Sequence, residues 1–347
     1  MSNTQDIILS VDYHDEHCVV RCFDAATQEV SVQRVPTEAG ILRRLMRNAV
    51  KTAQARGGQA VWIQESTTGW ARMEKLASKF PLRFLLANVL QMPLPPKARR
   101  RKTDKVDTAR LQREYLNGEL PLAHQPSEKW RQVRRLVSLR ENLTNRRTAL
   151  VNWINRYLAH ETWFSRKRFT GMPSYQDLRR LSLPAMDRRI IDWKLAELEQ
   201  VEKRLEEVAS AILEIYQQWP EAHRLDAIRG VGPIGAVSIL ARIGPIERFQ
   251  SPEQLIAFAG LAPGIQQSDG TRHDGKIGGG GTDKHLRHYL IEATIWARDI
   301  PRYHETYERV ARKRGKKIGR LVVARLLLRS IYKMLHDGVP FQPNKVA

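Results

Sequence analysis

The sequence is poor in cysteine and contains no long apolar run. Its 347 residues include two cysteines, Cys18 and Cys22, which are too close together for a useful bridge, so we expect a reducing compartment. No stretch of about 18 apolar residues is present, and the N-terminal MSNTQDII lacks the basic region and apolar core of a secretory signal. We therefore expect a cytoplasmic protein without membrane spans.

Acidic residues are scarce relative to basic ones. Lys and Arg number 58 against 37 Asp and Glu, which gives a formal net charge of +21. Apolar residues make up 42% of the chain, enough for a folded protein. Folded and strongly basic proteins most often bind nucleic acid. The alternative, a solubilising or membrane-surface role, fits less well because the basic residues cluster locally.

The densest basic stretch contains two aspartates. Asp104 and Asp107 are the acids of KARRRKTDKVDTAR, residues 97–110. Three residues apart, they share one face at the start of a predicted helix. Two carboxylates in cationic surroundings are typical of half a metal site that faces a polyanion. An ordinary basic helix capped by Thr103 explains the same pattern.

Two further acids follow apolar strands. Residues 7–11 and 18–23 predict a hairpin whose first strand ends at Asp12, and residues 60–63 predict a strand that leads to Glu65. A carboxylate at such a position is costly to bury unless a cation compensates it. Together with Asp104 and Asp107, these acids supply the oxygen ligands that Mg²⁺ prefers. We expect a magnesium site.

A zinc site near the N-terminus is a weaker alternative. His14, His17, Cys18 and Cys22 are all zinc-ligand residue types. On an extended segment, however, Cys18, Val20 and Cys22 share one face, which favours core packing.

The patterning predicts an α/β domain followed by all-α domains. Helical spacing at 38–55 and 72–79 alternates with strands, which indicates a mixed sheet covered by helices in residues 1–124. Long helices at 125–157 and 188–219, with a loop-rich tip at 158–183, predict a coiled-coil-like linker over 125–220. The second helix carries a seam that fits either an intramolecular hairpin or a dimer contact, formed by Leu198, Val201, Leu205, Val208, Ile212 and Ile215.

The last third, residues 221–347, is predicted to be mainly helical around two glycine-rich segments. IRGVGPIGA, with Gly230 and Gly232, is the pattern of a helix-hairpin-helix turn that admits a phosphate, or of a tight turn between packed helices. A predicted loop at 262–283 holds Ser268, a candidate nucleophile with Arg272 and His273 nearby, although a serine in such a loop is commonly structural.

Assembled, these segments resemble the DEDD-type insertion-sequence transposases, which include the Piv and MooV DNA invertases and the bridge-RNA-guided recombinases. The resemblance rests on VDYH, IQESTTGW, KTDKVDTARL, IRGVGPIGA, FAGLAPGIQQSDG, GGGGTDKHLRHYL and GVPFQP. It extends over nearly the whole chain.

The resemblance implies a RuvC-like, RNase H-type domain in which Asp12, Glu65, Asp104 and Asp107 bind Mg²⁺. It implies that Ser268 attacks a DNA phosphodiester and forms a phosphoserine linkage. Donor and target DNA, a non-coding guide RNA and a homodimer or homotetramer are the expected partners. The expected nucleic-acid-binding residues are Arg99, Arg100, Arg101, Lys102, Gly230, Gly232, Arg272, Arg287, Arg312, Lys313, Arg314, Lys316 and Lys317.

Two departures from the family pattern concern the serine segment. Asp269 stands between Ser268 and Gly270, where many relatives have Ser-Gly directly, so Thr271 is a competing hydroxyl. The tract from Gly278 to Gly281 has less lysine than is usual. Two other functions are compatible with parts of the pattern: a junction-resolving nuclease that uses the same acids with water, and a non-enzymatic architectural protein.

Overall fold

The chain divides into two units, residues Met1–Gln125 and Pro126–Ala347. The computed structural model describes residues 4–92, 104–161, 178–262, 264–268, 271–275 and 281–344. For residues 104, 105, 161, 264–268 and 271–275 it describes the backbone alone.

The first unit is built on a five-stranded mixed sheet with the order β3-β2-β1-β4-β5. Strands β1, β2 and β3 pair antiparallel, whereas β4 and β5 are parallel to β1. The elements are β1 (Ile7–Tyr13), β2 (His17–Asp24), β3 (Val30–Pro36), α1 (Ala39–Gln54), β4 (Ala60–Glu65), α2 (Trp70–Ala77), β5 (Leu82–Ala87) and α3 (Asp104–Leu116). The strands predicted at 7–11, 18–23 and 60–63 and the helices predicted at 38–55, 72–79 and after Thr103 are confirmed, and β3 is an additional strand.

Side-chain alternation along β1 divides the core of this unit into two layers. Ile7, Leu9, Val11 and Tyr13 pack with α1 and α2 on one face. Ile8 packs on the opposite face with Leu111 of α3 and with residues of β4 and β5. Because both faces are covered, β1 reads as a nearly continuous apolar run. Cys18 is buried with Val20 in the first layer and Cys22 packs beside them, which confirms core packing.

The second unit is helical around a single large core. Its elements are α4 (Glu128–Glu161), α5 (Ala185–Gln217), α6 (Pro220–Asp226), α7 (Pro233–Ile243), a 3₁₀ turn (Ile246–Arg248), α8 (Pro252–Phe258), β6 (Gly264–Ser268), β7 (Thr271–Gly275), α9 (Lys284–Ala297), α10 (Pro301–Arg314) and α11 (Lys316–His336). The loop predicted at 262–283 is wrong in part, since β6 and β7 pair there. Helix α10 is an additional element. No helix in the described ranges is long and apolar enough to span a membrane.

The long helices α4 and α5 pack against each other within the chain. The seam residues Leu198, Val201, Val208 and Ile212 are buried in the core of the second unit. The apolar seam is therefore used in an intramolecular hairpin, one of the two arrangements that its spacing allows. Most of the loop-rich tip predicted at 158–183 lies outside the described residues.

Candidate metal and serine sites

Asp12 and Glu65 occupy neighbouring positions at the carboxyl ends of two parallel strands. The register pairs Val11 of β1 with Gln64 of β4, so Asp12 and Glu65 are the next position on each strand. Because side chains alternate along a strand, Asp12 lies on the same face as Ile8, and Glu65 lies on the same face as Ile63. This is the face that packs against α3. The Asp12 side chain is 16% exposed, and Nε2 of His14 lies 3.3 Å from its Oδ2. The sheet therefore brings two of the four predicted acids side by side.

Contacts along α3 determine which end of the helix lies near these acids. Nε of Arg21, opposite Ser10 in the sheet, donates to Oε1 of Gln112 over 2.6 Å. One turn later, Tyr115 interacts with Arg83, near the beginning of β5. The helix therefore runs antiparallel to β1 and β5. Its first turn, where Asp104 and Asp107 stand, lies toward the carboxyl ends of β1 and β4.

The chemistry of the donor set fits a hard divalent cation. Carboxylate oxygens are the preferred ligands of Mg²⁺, and Glu65 and Asp107 are partly exposed like Asp12. The Oγ atom of Ser10, on the same face as Asp12, is buried and has no hydrogen-bond partner among the residues that the structure describes. Among the side chains that the structure describes, no three His, Cys, Asp or Glu residues are grouped closely enough to hold an ion. The side chain of Asp104 lies outside that set, so the four-acid site stays a prediction.

The candidate nucleophile Ser268 is the last residue of β6 in a tight hairpin. Its backbone position pairs with Thr271, the first residue of β7, and two residues join the strands. The backbone positions of Ser268 and of Thr271, the residue with the competing hydroxyl, are therefore paired with each other. The side chains of Ser268, Arg272 and His273 lie outside the described part of the chain.

The two glycines of the predicted phosphate turn differ in their surroundings. Gly230 has φ +95°, and a Cβ there would lie 2.6 Å from the carbonyl oxygen of Ala293 in α9. Glycine at this position therefore permits close helix packing. Gly232 is the N-cap of α7, and a Cβ there would meet nothing within 4 Å. Gly232 is exposed at the start of α7, so a phosphate would have access to the backbone there rather than at Gly230.

The predicted basic contacts occupy two kinds of environment. An exposed cluster surrounds the junction of α10 and α11, formed by Arg312, Lys313, Arg314, Lys316 and Lys317. Arg287, by contrast, is half-buried and donates from Nη1 to the carbonyl oxygen of Gly260 over 3.3 Å. The residues Arg99, Arg100, Arg101 and Lys102 lie outside the described ranges.

Sequence reasoning missed the residues that support these sites. The His14 contact with Asp12 had a weak signal, since the two residues are separated by one position in VDYH. The Arg21 contact with Gln112 had none, because it joins residues 91 positions apart.

Comparison with known families assigns the class of protein. A model of the IS110 DEDD transposase domain, described as Transposase, matches residues 9–161, which include all four predicted acids. The protein is a DEDD-type insertion-sequence transposase, an enzyme that acts on DNA. A second model, described as Transposase IS116/IS110/IS902 family, matches residues 222–308, which include the glycine turn and Ser268. The two matches, to residues 9–161 and 222–308, are to transposase domains of the IS110/IS116/IS902 family.

Individual relatives agree with this assignment. The chain is 29% identical over 345 residues to the transposase y4rJ of Sinorhizobium fredii, an alignment that covers 87% of this chain and 84% of the relative. It is 24% identical over 182 residues to the transposase for insertion sequence element IS1111A of Coxiella burnetii, covering 51% and 50% of the two chains. A family 20 transposase of Pseudomonas aeruginosa is 26% identical over 164 residues, or 46% and 48% of the two chains.

Proposed function

We propose that this transposase cuts and rejoins DNA through a phosphoserine intermediate at Ser268, assisted by Mg²⁺ at Asp12, Glu65, Asp104 and Asp107. The observation that supports it most is the first turn of α3 lying toward the strand ends that carry Asp12 and Glu65. Residues from three separate elements are thereby directed to one edge of the sheet. The proposal includes a RuvC-like, RNase H-type fold for the first unit, with domains at 1–124, 125–220 and 221–347.

The serine step conserves the energy of the broken phosphodiester. The Ser268 hydroxyl gives up its proton as Oγ bonds to phosphorus, the bond from phosphorus to the leaving deoxyribose oxygen breaks, and that oxygen takes a proton. A hydroxyl of a second strand then attacks the phosphoserine and releases Ser268. Because the phosphoserine ester conserves the energy of the broken phosphodiester bond, rejoining needs no ATP. Thr271, across the turn, is the alternative hydroxyl.

The four acids would hold the cation and orient it toward the phosphate. Bound Mg²⁺ supplies positive charge against the extra negative charge of the phosphorane and lowers the pKa of a hydroxyl near it. His14, 3.3 Å from Asp12, orients that carboxylate. The serine lies in the other unit, and we propose that the acids of one subunit serve the serine of another in a dimer or tetramer.

Sequence choice is assigned to a non-coding guide RNA in this proposal. The net charge of +21 and the exposed basic cluster at the junction of α10 and α11 favour contacts with nucleic-acid backbones. Such contacts read shape and charge, which leaves the selection of donor and target DNA to base pairing. The protein would act in the cytoplasm, on the nucleoid.

The experiment that tests the serine uses end-labelled DNA on a denaturing gel, with Mg²⁺ and the RNA that copurifies with the protein present. Wild-type protein and Thr271→Ala should form a covalent protein–DNA adduct, and Ser268→Ala should not. An adduct that persists in Ser268→Ala refutes the assignment. Clean strand cleavage without an adduct favours the second candidate, a junction-resolving nuclease that uses water at the same four acids.

The guide RNA is tested separately. We expect a discrete, nuclease-protected RNA to copurify with the protein from its host, and sequencing identifies it. If the copurified RNA is a random sample of host transcripts, the guided mechanism is wrong, whereas the serine chemistry is unaffected.

A further inference from the structure

The two stems of the Ser268 hairpin are joined to each other at their base. The backbone N–H of Asp283, after β7, donates to the carbonyl oxygen of Phe258, before β6, over 2.8 Å. Asp283 is also the N-cap of α9 and accepts from the backbone N–H groups of His285 and Leu286. This bond therefore ties the segment before β6 to the segment after β7, next to Ala259 and Leu261 in the core of the second unit.

Two arginines from different helices hold the stem that leads into β6. Nε of Arg325, on α11, donates to the carbonyl oxygen of Leu261 over 2.6 Å. Nη1 of Arg287, on α9, donates to the carbonyl oxygen of Gly260 over 3.3 Å. Both acceptor residues are buried, and a buried carbonyl without a donor is costly. These two bonds therefore restrict the direction in which the chain departs toward Ser268.

Gly260 is required for this arrangement. Its φ of +66° is in the left-handed region, which favours glycine. A Cβ there would lie 2.7 Å from Nη1 of Arg287 and 2.7 Å from Oγ1 of Thr282. A side chain at 260 would therefore strain the backbone and displace Arg287 and Thr282.

A half-buried guanidinium lies next to the segment before β6. Arg248 stacks on the ring of Phe258 with its Cζ 4.5 Å from the ring centroid and donates to the carbonyl oxygen of Ile243 at the end of α7. Burial lowers the pKa of Arg248 to about 10; the charge of Arg134 acts in the same direction, and Asp283 opposes it. The carboxylate of Asp283 is therefore electrostatically coupled to the charge that packs on the first stem.

We infer that Arg325, Arg287 and Gly260 are positioning residues that aim the Ser268 hairpin. The inference rests on the proposed role of Ser268. A two-stranded hairpin is at most marginally stable by itself, so its direction depends on how its stems are held. A misplacement of about 1 Å can reduce a reaction rate by roughly 100-fold. The motif residues Gly260, Thr282 and Arg287 thereby acquire a physical role at the base of the hairpin.

The test compares Arg325→Met with Arg329→Met. Arg329 lies one turn further along α11 and pairs with exposed Glu253 over 3.3 Å, so it is a matched control of the same residue type. With saturating DNA and Mg²⁺, Arg325→Met should form the covalent adduct about 10- to 100-fold more slowly, while its DNA affinity remains within about threefold and Arg325→Lys recovers part of the rate. Arg329→Met should react at the wild-type rate.

Hydrogen exchange provides a readout that does not depend on catalysis. Amides in 264–268 and 271–275 should exchange faster in Arg325→Met and Gly260→Ala than in Arg329→Met. Wild-type adduct rates in both Arg325→Met and Gly260→Ala would overturn the inference, as would unchanged exchange in the hairpin. Where Arg325→Met does not fold, Arg287→Met is measured in its place. If Ser268→Ala still forms the covalent adduct, the proposed function is wrong. The exchange comparison then still decides whether Arg325, Arg287 and Gly260 hold the hairpin.

Discussion

At the scale of single residues, the acids at the strand ends are held in a partly desolvated environment. The side chain of Asp12 is 16% exposed and close to His14, and Glu65 is next to it in the sheet register. Partly buried carboxylates that stand side by side repel each other, and a bound cation relieves that repulsion. This arrangement is more favourable for binding a metal than for stabilising the free protein.

We expect Asp12→Asn to abolish most strand cleavage. The amide keeps the shape of the side chain but removes the charge that the metal requires. Substituting residues that only support metal ligands already reduces metal affinity or activity by about 10- to 100-fold. The rate of strand cleavage should therefore fall by at least about 100-fold in Asp12→Asn. Asp15→Asn, an exposed acid in the β1–β2 turn, is the control. Cleavage by Asp12→Asn at the Asp15→Asn rate would contradict a catalytic metal site.

The two thiols should be poorly reactive in the folded protein. Burial raises the pKa of Cys18 and of Cys22, and the nearby charges of Asp12 and Asp24 act in the same direction. Because the folded thiols bind protons more tightly than the unfolded ones, they contribute stability below the ordinary thiol pKa, and this stability is lost as pH rises above it. Alkylation followed by mass spectrometry should be slower for both thiols in native buffer than in urea, and slower for Cys18 than for Cys22. Equal rates in both solvents would refute this.

At the scale of elements, the long α4–α5 hairpin uses its apolar seam internally. Leu195 and Ile191 are completely buried, together with the seam residues that follow them. Electrostatic pairs flank the seam, including Arg146 with Glu197 at 2.7 Å and Arg147 with Glu202 at 2.7 Å. The exposed pairs contribute little, so the buried apolar residues determine the stability of this hairpin.

We expect Leu195→Ala to destabilise the second unit by about 2–5 kcal/mol, since it leaves a cavity in a closed interface. Leu213→Ala is the control on the same helix. Its side chain is 38% exposed, and its cost should stay below about 1 kcal/mol. Urea unfolding followed by far-ultraviolet circular dichroism measures both. Equal midpoints for the two variants would show that the buried part of the seam does not stabilise the hairpin.

The serine hairpin illustrates an element that local patterns did not predict. The segment GIQQSDGTRHDG has few β-branched or aromatic residues, so its strand propensity is low. The Asp-Gly pair is a signal for a tight turn, and the register that places Ser268 opposite Thr271 agrees with it. Propensity alone favoured a loop because the stems that bring the two strands together lie outside the segment.

At the scale of the whole molecule, the excess of positive charge predicts strongly salt-dependent nucleic-acid binding. If about 6–10 phosphates are bound, affinity should fall by roughly 10³- to 10⁵-fold between about 50 and 200 mM salt. Fluorescence anisotropy with DNA of unrelated sequence measures the slope of log affinity against log salt concentration. Reversing Arg312, Lys313 and Lys317 to Glu should reduce the slope by about one for each phosphate that the variant no longer binds.

Lys51→Glu is the control for this measurement. Lys51 is exposed at the end of α1, outside every predicted basic cluster. A slope that changes by the same amount per reversed charge in the control and in the triple variant would show that net charge alone governs binding, without a defined phosphate site at the junction of α10 and α11.

The sequence by itself determined the features that depend on local patterns. Apolar alternation and helical spacing predicted most strands and helices, motif residues pointed to the family, and the chain's charge indicated a polyanionic partner. The tertiary structure decided how distant segments meet. The register of β1 with β4 sets Asp12 beside Glu65, and Arg325 reaches Leu261 across 64 residues of sequence. Such pairings depend on the packing of whole layers, and no local periodicity encodes them.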